Sequence, residues 1–228
     1  MSAQHRRQLG LALAPPPAMG RADFLPAAPN ALALAAIDAP GGLPGGRLVL
    51  TGPEAAGKSH LASIWAAERG ALWLDPTRLA EDLPALLEPD APGVMALDGA
   101  DRVAGTAQEE ALFHLLNHLG ARQGQLLLTA RRPVAAWGLA LPDLASRLMA
   151  AAQVALGPPD DALMAALLVK LFADRQIPAG PELVAYLTRR IDRSFAAAHR
   201  VVAQLDAEAL RLRRPVTRAL AQELLGRG

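Results

Sequence analysis

The segment Gly52-Pro53-Glu54-Ala55-Ala56-Gly57-Lys58-Ser59 follows the apolar run Arg47-Leu48-Val49-Leu50-Thr51 and opens a stretch with apolar residues at helical spacing. A Gly-x-x-x-x-Gly-Lys-Ser string between a strand and a helix is a phosphate-binding loop. Its glycines let backbone amides approach phosphate oxygens, and the start of the following helix adds its positive end. Lys58 reaches the terminal phosphates and Ser59 ligates Mg²⁺, with His60 next along the helix. Such a loop needs a buried strand feeding it and a helix leaving it, which commits the chain to an α/β fold.

The remaining sequence supplies that fold. Apolar runs at 47–51, 71–74, 93–98, 125–129 and 153–156 read as strands, and 57–69, 77–87, 107–122 and 142–149 read as the helices between them. Strict alternation of this kind specifies a five-stranded parallel sheet sandwiched by helices. A short helix is expected near 30–38. After Gly157-Pro158-Pro159 the strand-like runs stop, and 160–174, 180–190, 194–212 and 215–225 all carry helical periodicity. The expected organisation is a tail at 1–20 broken by Pro15-Pro16-Pro17, a nucleotide-binding α/β domain at 21–157 and a small all-helical domain at 158–228. At 228 residues, 52% of them hydrophobic, the chain has apolar surface enough for both cores.

Several function classes are disfavoured. Lysine plus arginine number 23 against 22 aspartate plus glutamate, so no global basic field favours nucleic acid by bulk charge. The absence of cysteine excludes disulfides, thiolate metal sites and a cysteine nucleophile. The apolar run from Leu9 to Ala14 is too short for a secretory signal, and nothing approaches the roughly 20 residues of a membrane span, so a cytoplasmic protein without membrane partners is expected. His114, His118 and His199 lie in helical patterns without ligand partners and are expected to bind no metal.

A phosphate-bound Mg²⁺ also needs an acid at the end of a hydrophobic strand, and Val94-Met95-Ala96-Leu97-Asp98 supplies Asp98. The next position, where vigorous ATPases carry a second acid that orients water, holds Gly99, and Asp101 is the only nearby substitute. Intrinsic turnover is therefore expected to be weak or absent, with ADP or ATP held as a structural element.

These residues resemble the DnaA/Hda group of AAA+ ATPases, nearer to the Hda regulators of the initiator DnaA, over nearly the whole chain. Asp23-Phe24, then Asn30 and an Ala-rich helix, is similar to the entry segment that lies over adenine in this group. Leu126-Leu127-Leu128-Thr129 followed by Arg132-Pro133 looks like its sensor-1 strand, and Leu141-Pro142-Asp143-Leu144-Ala145-Ser146-Arg147-Leu148 looks like the box carrying an arginine finger. The resemblance implies a sheet order 5-1-4-3-2 with a helical lid, and an Arg147 that reaches a neighbouring subunit's nucleotide. The competing reading of Arg147 is a same-helix pair with Asp143. Arg193 and Arg200 flank the position of the lid arginine, and Arg193 is the candidate. Arg131 stands where the group has an acid after sensor 1.

Gln8-Leu9-Gly10-Leu11-Ala12-Leu13 resembles the peptide by which Hda-type proteins dock on the DNA polymerase sliding clamp, its beta subunit, through Gln8, Leu9, Leu11 and Leu13. DnaA continues beyond its lid into a DNA-reading helix-turn-helix, whereas this sequence stops at Gly228, so sequence-specific DNA binding is not expected. The resemblance implies a nucleoid- or replisome-associated negative regulator of replication initiation. Tethered to the clamp, it stimulates hydrolysis of DnaA-bound ATP in trans with Arg147, and a homo-oligomer is a further possible assembly. The alternative is a nucleotide-binding adaptor or loader factor that binds a replication partner without stimulating hydrolysis.

Overall fold

The apolar runs form one parallel sheet in the computed structural model, which describes residues 20–226. Its strands are β1 (Arg47–Thr51), β2 (Leu72–Leu74), β3 (Val94–Leu97), β4 (Gln125–Ala130) and β5 (Ala152–Ala155), in the order β2-β3-β4-β1-β5. This is the expected 5-1-4-3-2 order. Leu50 of β1 sits between Thr129 of β4 and Val154 of β5, and Leu97 of β3 lies opposite Leu128 of β4. Leu48, Val49, Leu50, Met95, Ala96, Leu97, Leu126, Leu127 and Leu128 are all fully buried. A parallel sheet covered on both faces requires such uninterrupted apolar strands, which is why they read as runs rather than as alternation.

Five helices accompany the sheet: α1 (Ala31–Ile37), α2 (Lys58–Arg69), α3 (Leu79–Leu86), α4 (Gln108–Ala121) and α5 (Pro142–Met149). On one face Val49, Met95, Leu97, Leu126 and Leu128 share a core with Leu79 and Leu86 of α3, Leu112, Leu116 and Leu119 of α4, and Leu144 and Leu148 of α5. Strand side chains alternate, so Leu48, Leu50, Ala96 and Leu127 point to the opposite face, where α2 packs against β3 and β4. The helix α3 begins at Leu79, later than residue 77, because the Asp75 carboxylate accepts bonds from the Thr77 N–H (2.8 Å) and hydroxyl (2.7 Å) and holds a turn there.

Two compact units divide the chain. Among the described residues one comprises 20–24, 32–52 and 58–155; the other comprises 25–31, 53–57 and 156–226. The second therefore takes in two short segments from the first half of the sequence, which local patterning cannot show. Its helices are α6 (Asp161–Asp174), α7 (Pro181–Arg190), α8 (Phe195–Leu212) and α9 (Arg218–Leu225). Met164, Leu168 and Phe172 of α6, Leu187 of α7, Val202 and Leu205 of α8, and Leu220 of α9 form its core. Side-chain caps start three of these helices: Asp160 accepts from Leu163 N–H (2.8 Å), Ser194 from Ala197 N–H (3.1 Å) and Thr217 from Leu220 N–H (3.3 Å). The Thr217 cap explains why α9 starts at Arg218 and not at Pro215.

Candidate nucleotide-binding site

The chain leaves β1 into the glycine-rich loop with Gly52 at φ 145°, Ala55 at φ 55° and Gly57 at φ 94°. A side chain at Gly57 would be strained by that backbone alone. Ala55 accepts a left-handed conformation that costs a non-glycine residue about 1 kcal/mol, strain of the kind retained where a site needs a particular backbone path. Ala56 N–H donates to the Pro53 carbonyl (3.3 Å), and within the second unit Phe195 N–H donates to the Ala55 carbonyl (3.4 Å).

Lys58 opens α2, is 7% exposed, and donates from Nζ to the Gly52 carbonyl at 2.9 Å. Ser59 Oγ donates to Asp98 Oδ1 at 2.9 Å. The buried Thr129 hydroxyl donates to the same carboxylate oxygen, and Gly99 N–H donates to Thr129 Oγ1 at 3.0 Å. Residues from the ends of β1, β3 and β4 thus converge at the carboxyl edge of the sheet, where open α/β sheets place ligands. A hydroxyl and a carboxylate are hard oxygen donors of the kind Mg²⁺ takes, with phosphate and water completing its shell. Ser59 and Asp98 would hold that ion; among the described residues no cluster of three or more His, Asp or Glu offers an alternative cage.

Gly99 adopts φ 70°, so the position where a second acid would stand is a left-handed turn suited to glycine. Asp101 uses Oδ2 to accept from Arg131 N–H at 3.3 Å, which ties the turn after β3 to the exit of β4. Phe24 is buried and meets the His60 ring edge-on at 5.2 Å, while His60 Nε2 lies 3.1 Å from the Gly20 carbonyl. Asn30 is also buried, and its amide bonds the Leu25 carbonyl (3.0 Å) and Ala27 N–H (2.9 Å), fixing the entry segment's backbone. Arg193 pairs with Asp161 at 2.8 Å, and Arg200 is exposed on α8. Gln8, Leu9, Leu11 and Leu13 lie outside the described residues.

Arg147 is exposed on α5 and makes no ion pair with Asp143; its guanidinium lies over the Phe113 ring of α4, 5.3 Å from the centroid. Such a contact is worth about 0.5–1 kcal/mol at an exposed position, so the side chain is oriented without being locked. The nearby Arg47, whose guanidinium donates to the Leu116 carbonyl (2.9 Å), titrates below its ordinary value through burial and then repulsion from Arg147.

Sequence reasoning missed Glu109. It is 3% exposed, and its carboxylate accepts from Gly105 N–H (2.6 Å), Ala140 N–H (2.9 Å) and Leu141 N–H (2.8 Å). Burial alone would raise its pKa, but the three backbone donors together bring it below the ordinary carboxylate value. The carboxylate therefore fixes the loop that delivers Pro142 and α5. Its signal was available: Glu109 shares helical spacing with Leu112, Leu116 and Leu119, which placed it on the buried face of α4.

No protein-family model matches the chain. Among solved structures, it is similar to domain III of the replication initiation protein DnaA from Thermotoga maritima, at a TM-score of 0.79 and 18% identity over 92% of this chain and 96% of that one. AMPPCP-bound DnaA from Aquifex aeolicus aligns at a TM-score of 0.71 and 17% identity, covering 86% of this chain and 68% of that chain. The Thermotoga maritima RuvB Holliday junction branch migration motor also aligns, at 0.71 and 17% identity over 90% and 70%. Together with the sheet order and the loop, these likenesses establish an AAA+ P-loop fold. Among the described residues, no helix is long and apolar enough to cross a membrane.

Proposed function

We propose that this chain is a nucleotide-dependent regulator of replication initiation that binds the sliding clamp through Gln8, Leu9, Leu11 and Leu13 and stimulates hydrolysis of ATP bound to DnaA. The observation that carries the proposal is the contrast between two sites on one chain. Ser59 and Thr129 both donate to the Asp98 carboxylate beside a glycine-rich loop, which supports a phosphate and Mg²⁺ site, yet the turn after Asp98 holds a left-handed Gly99 where a water-orienting acid would stand. An exposed arginine, Arg147, meanwhile sits on α5 with no carboxylate partner among the described residues.

In this account ADP or ATP is held rather than turned over. Lys58 and the loop amides bind phosphate oxygens, Ser59 and Asp98 hold Mg²⁺, and Thr129 keeps the Asp98 carboxylate oriented. Phe24, Asn30, His60 and Arg193 are the further nucleotide contacts of this reading. Binding of this kind stabilises the folded chain without chemistry. Arg147 exchanges its weak Phe113 contact for the γ-phosphate of ATP on DnaA, where a guanidinium stabilises charge that develops as water displaces ADP. Arginines supplied in trans accelerate such hydrolysis by about 10³–10⁵-fold. The likeness to domain III of the replication initiation protein DnaA supports a partner in replication initiation, and DnaA is the one this reading names. A replisome-associated cytoplasmic location follows from that reading.

The test is hydrolysis of DnaA-bound ATP on clamp-loaded DNA, with Arg147→Ala and Gln8→Ala as the variants. Stimulation lost in both supports a clamp-tethered activator. No stimulation by the unmodified chain rejects that role and leaves an adaptor that binds a replication partner without accelerating hydrolysis.

A further inference from the structure

We infer that the outer face of α7 is a docking surface for an acidic, partly apolar peptide segment of a partner protein, independent of the nucleotide site and of Arg147. Between α6 and α7 lies an open groove of about 580 Å³ whose lining is mostly apolar, from Ala165, Val169, Ala179, Pro181 and Val184. Val169 is 53% exposed there, on a helix whose adjoining face already fills the core with Leu168 and Phe172. Burial within the helical domain does not account for it.

The groove continues, through Pro181, Ala185 and Arg189, into a second depression of about 380 Å³ bordered by Tyr186, Arg218 and Glu182. The rim here is cationic. The guanidinium of Arg190 lies 6.0 Å and that of Arg218 5.7 Å from the Tyr186 ring centroid. Neither makes an ion pair among the described residues, and Arg189 uses Nε only on the Ala185 carbonyl (3.1 Å). Elsewhere in this domain Arg175, Arg193, Arg211 and Arg214 reach carboxylates, while Arg200 and Arg213 make no ion pair among the described residues. Arg218 also stands in the first turn of α9, which contains no acid and where a cation opposes the helix dipole. It breaks a local rule without helping its own helix, the usual mark of a residue kept for something outside the fold.

An apolar trough beside three arginines is complementary to a helical or extended segment that seats aliphatic or aromatic side chains in the trough and sets carboxylates on the rim. A single nucleic-acid strand fits less well. It would place phosphates against the apolar lining, and Tyr186 is the one aromatic available for stacking, with guanidiniums already over its ring.

The experiment selects a displayed random 16-residue peptide library against the full chain and measures the enriched peptide, labelled with fluorescein, by anisotropy. The expected winners interleave Asp or Glu with Leu, Ile or Phe at three- and four-residue spacing. Their affinity should fall by about tenfold or more in Val169→Asp and in Arg190→Glu with Arg218→Glu, and should weaken with salt. Thermal melting of each variant, read by circular dichroism, confirms that the helices persist, and Arg147→Ala should bind the peptide as the unmodified chain does, which separates this surface from the proposed stimulation. Failure to enrich any peptide, winners that are basic or uncharged, or equal binding to the variants would overturn the inference. Displacement of the peptide by oligo-dT would reassign the face to nucleic acid.

Discussion

Replacing Glu109 by glutamine should destabilise the α/β unit far more than an exposed first-turn acid could. One carboxylate oxygen takes Gly105 N–H at 2.6 Å, and the other takes Leu141 N–H at 2.8 Å and Ala140 N–H at 2.9 Å. Glutamine has one oxygen, so in either orientation its NH₂ group faces at least one backbone N–H. A bond to a charged acceptor contributes about 1.5–3 kcal/mol and an unpaired buried donor costs about 1–3 kcal/mol, which gives an expected loss of about 2–4 kcal/mol. Urea unfolding followed by tryptophan fluorescence isolates this unit, because Trp65, Trp73 and Trp137 all belong to it. The acid limb gives a second readout. Since the folded carboxyl titrates below its ordinary value, its stabilisation is complete above the unfolded value of about 4.3 and is lost as pH falls through the lower, folded value. Glu109→Gln should flatten that limb. A loss under about 1 kcal/mol, or an unchanged acid limb, would refute the capping account.

Three other substitutions probe separate parts of the account. Asp98→Asn should make ADP binding largely insensitive to Mg²⁺, because the remaining Ser59 hydroxyl is a weak ligand alone; titrating nucleotide with and without the ion measures it. Gly57→Ala should weaken nucleotide binding and cost about 1 kcal/mol of stability, given φ 94°, and would be seen as a lower urea midpoint. Thr217→Ala should loosen the start of α9 by about 1 kcal/mol, with faster amide hydrogen exchange at Leu220 and no change in tryptophan-monitored unfolding.

The framework was legible because each of its signals is local. Leu48-Val49-Leu50 and Leu126-Leu127-Leu128 are apolar in a way only a doubly covered strand requires, and Lys58-Ser59 follows a glycine that the loop's backbone needs. The order of the strands came from the resemblance, since periodicity carries no information on which strand lies beside which. Partnerships between distant residues were not legible. Nothing in Thr129 announces that its hydroxyl holds Asp98, and nothing in Arg147 distinguishes a contact with Phe113 from one with Asp143. Nor does Asn30 announce that its amide bonds the Leu25 carbonyl and the Ala27 N–H and so fixes the entry segment's backbone. Glu109 stands beside Glu110 in the first turn of α4, and only the burial of one helix face separates a loop-fixing carboxylate from a partner of the helix dipole.

The most direct test of a site built to hold Mg-nucleotide is calorimetric titration of ADP and Mg²⁺ into the unmodified chain and into Lys58→Ala. The account predicts one nucleotide per chain, with affinity reduced by about 100-fold in the variant, because an ammonium held 2.9 Å from the loop carbonyl is lost from the phosphate site. No heat of binding in the unmodified chain, or equal affinity in the two, would contradict it.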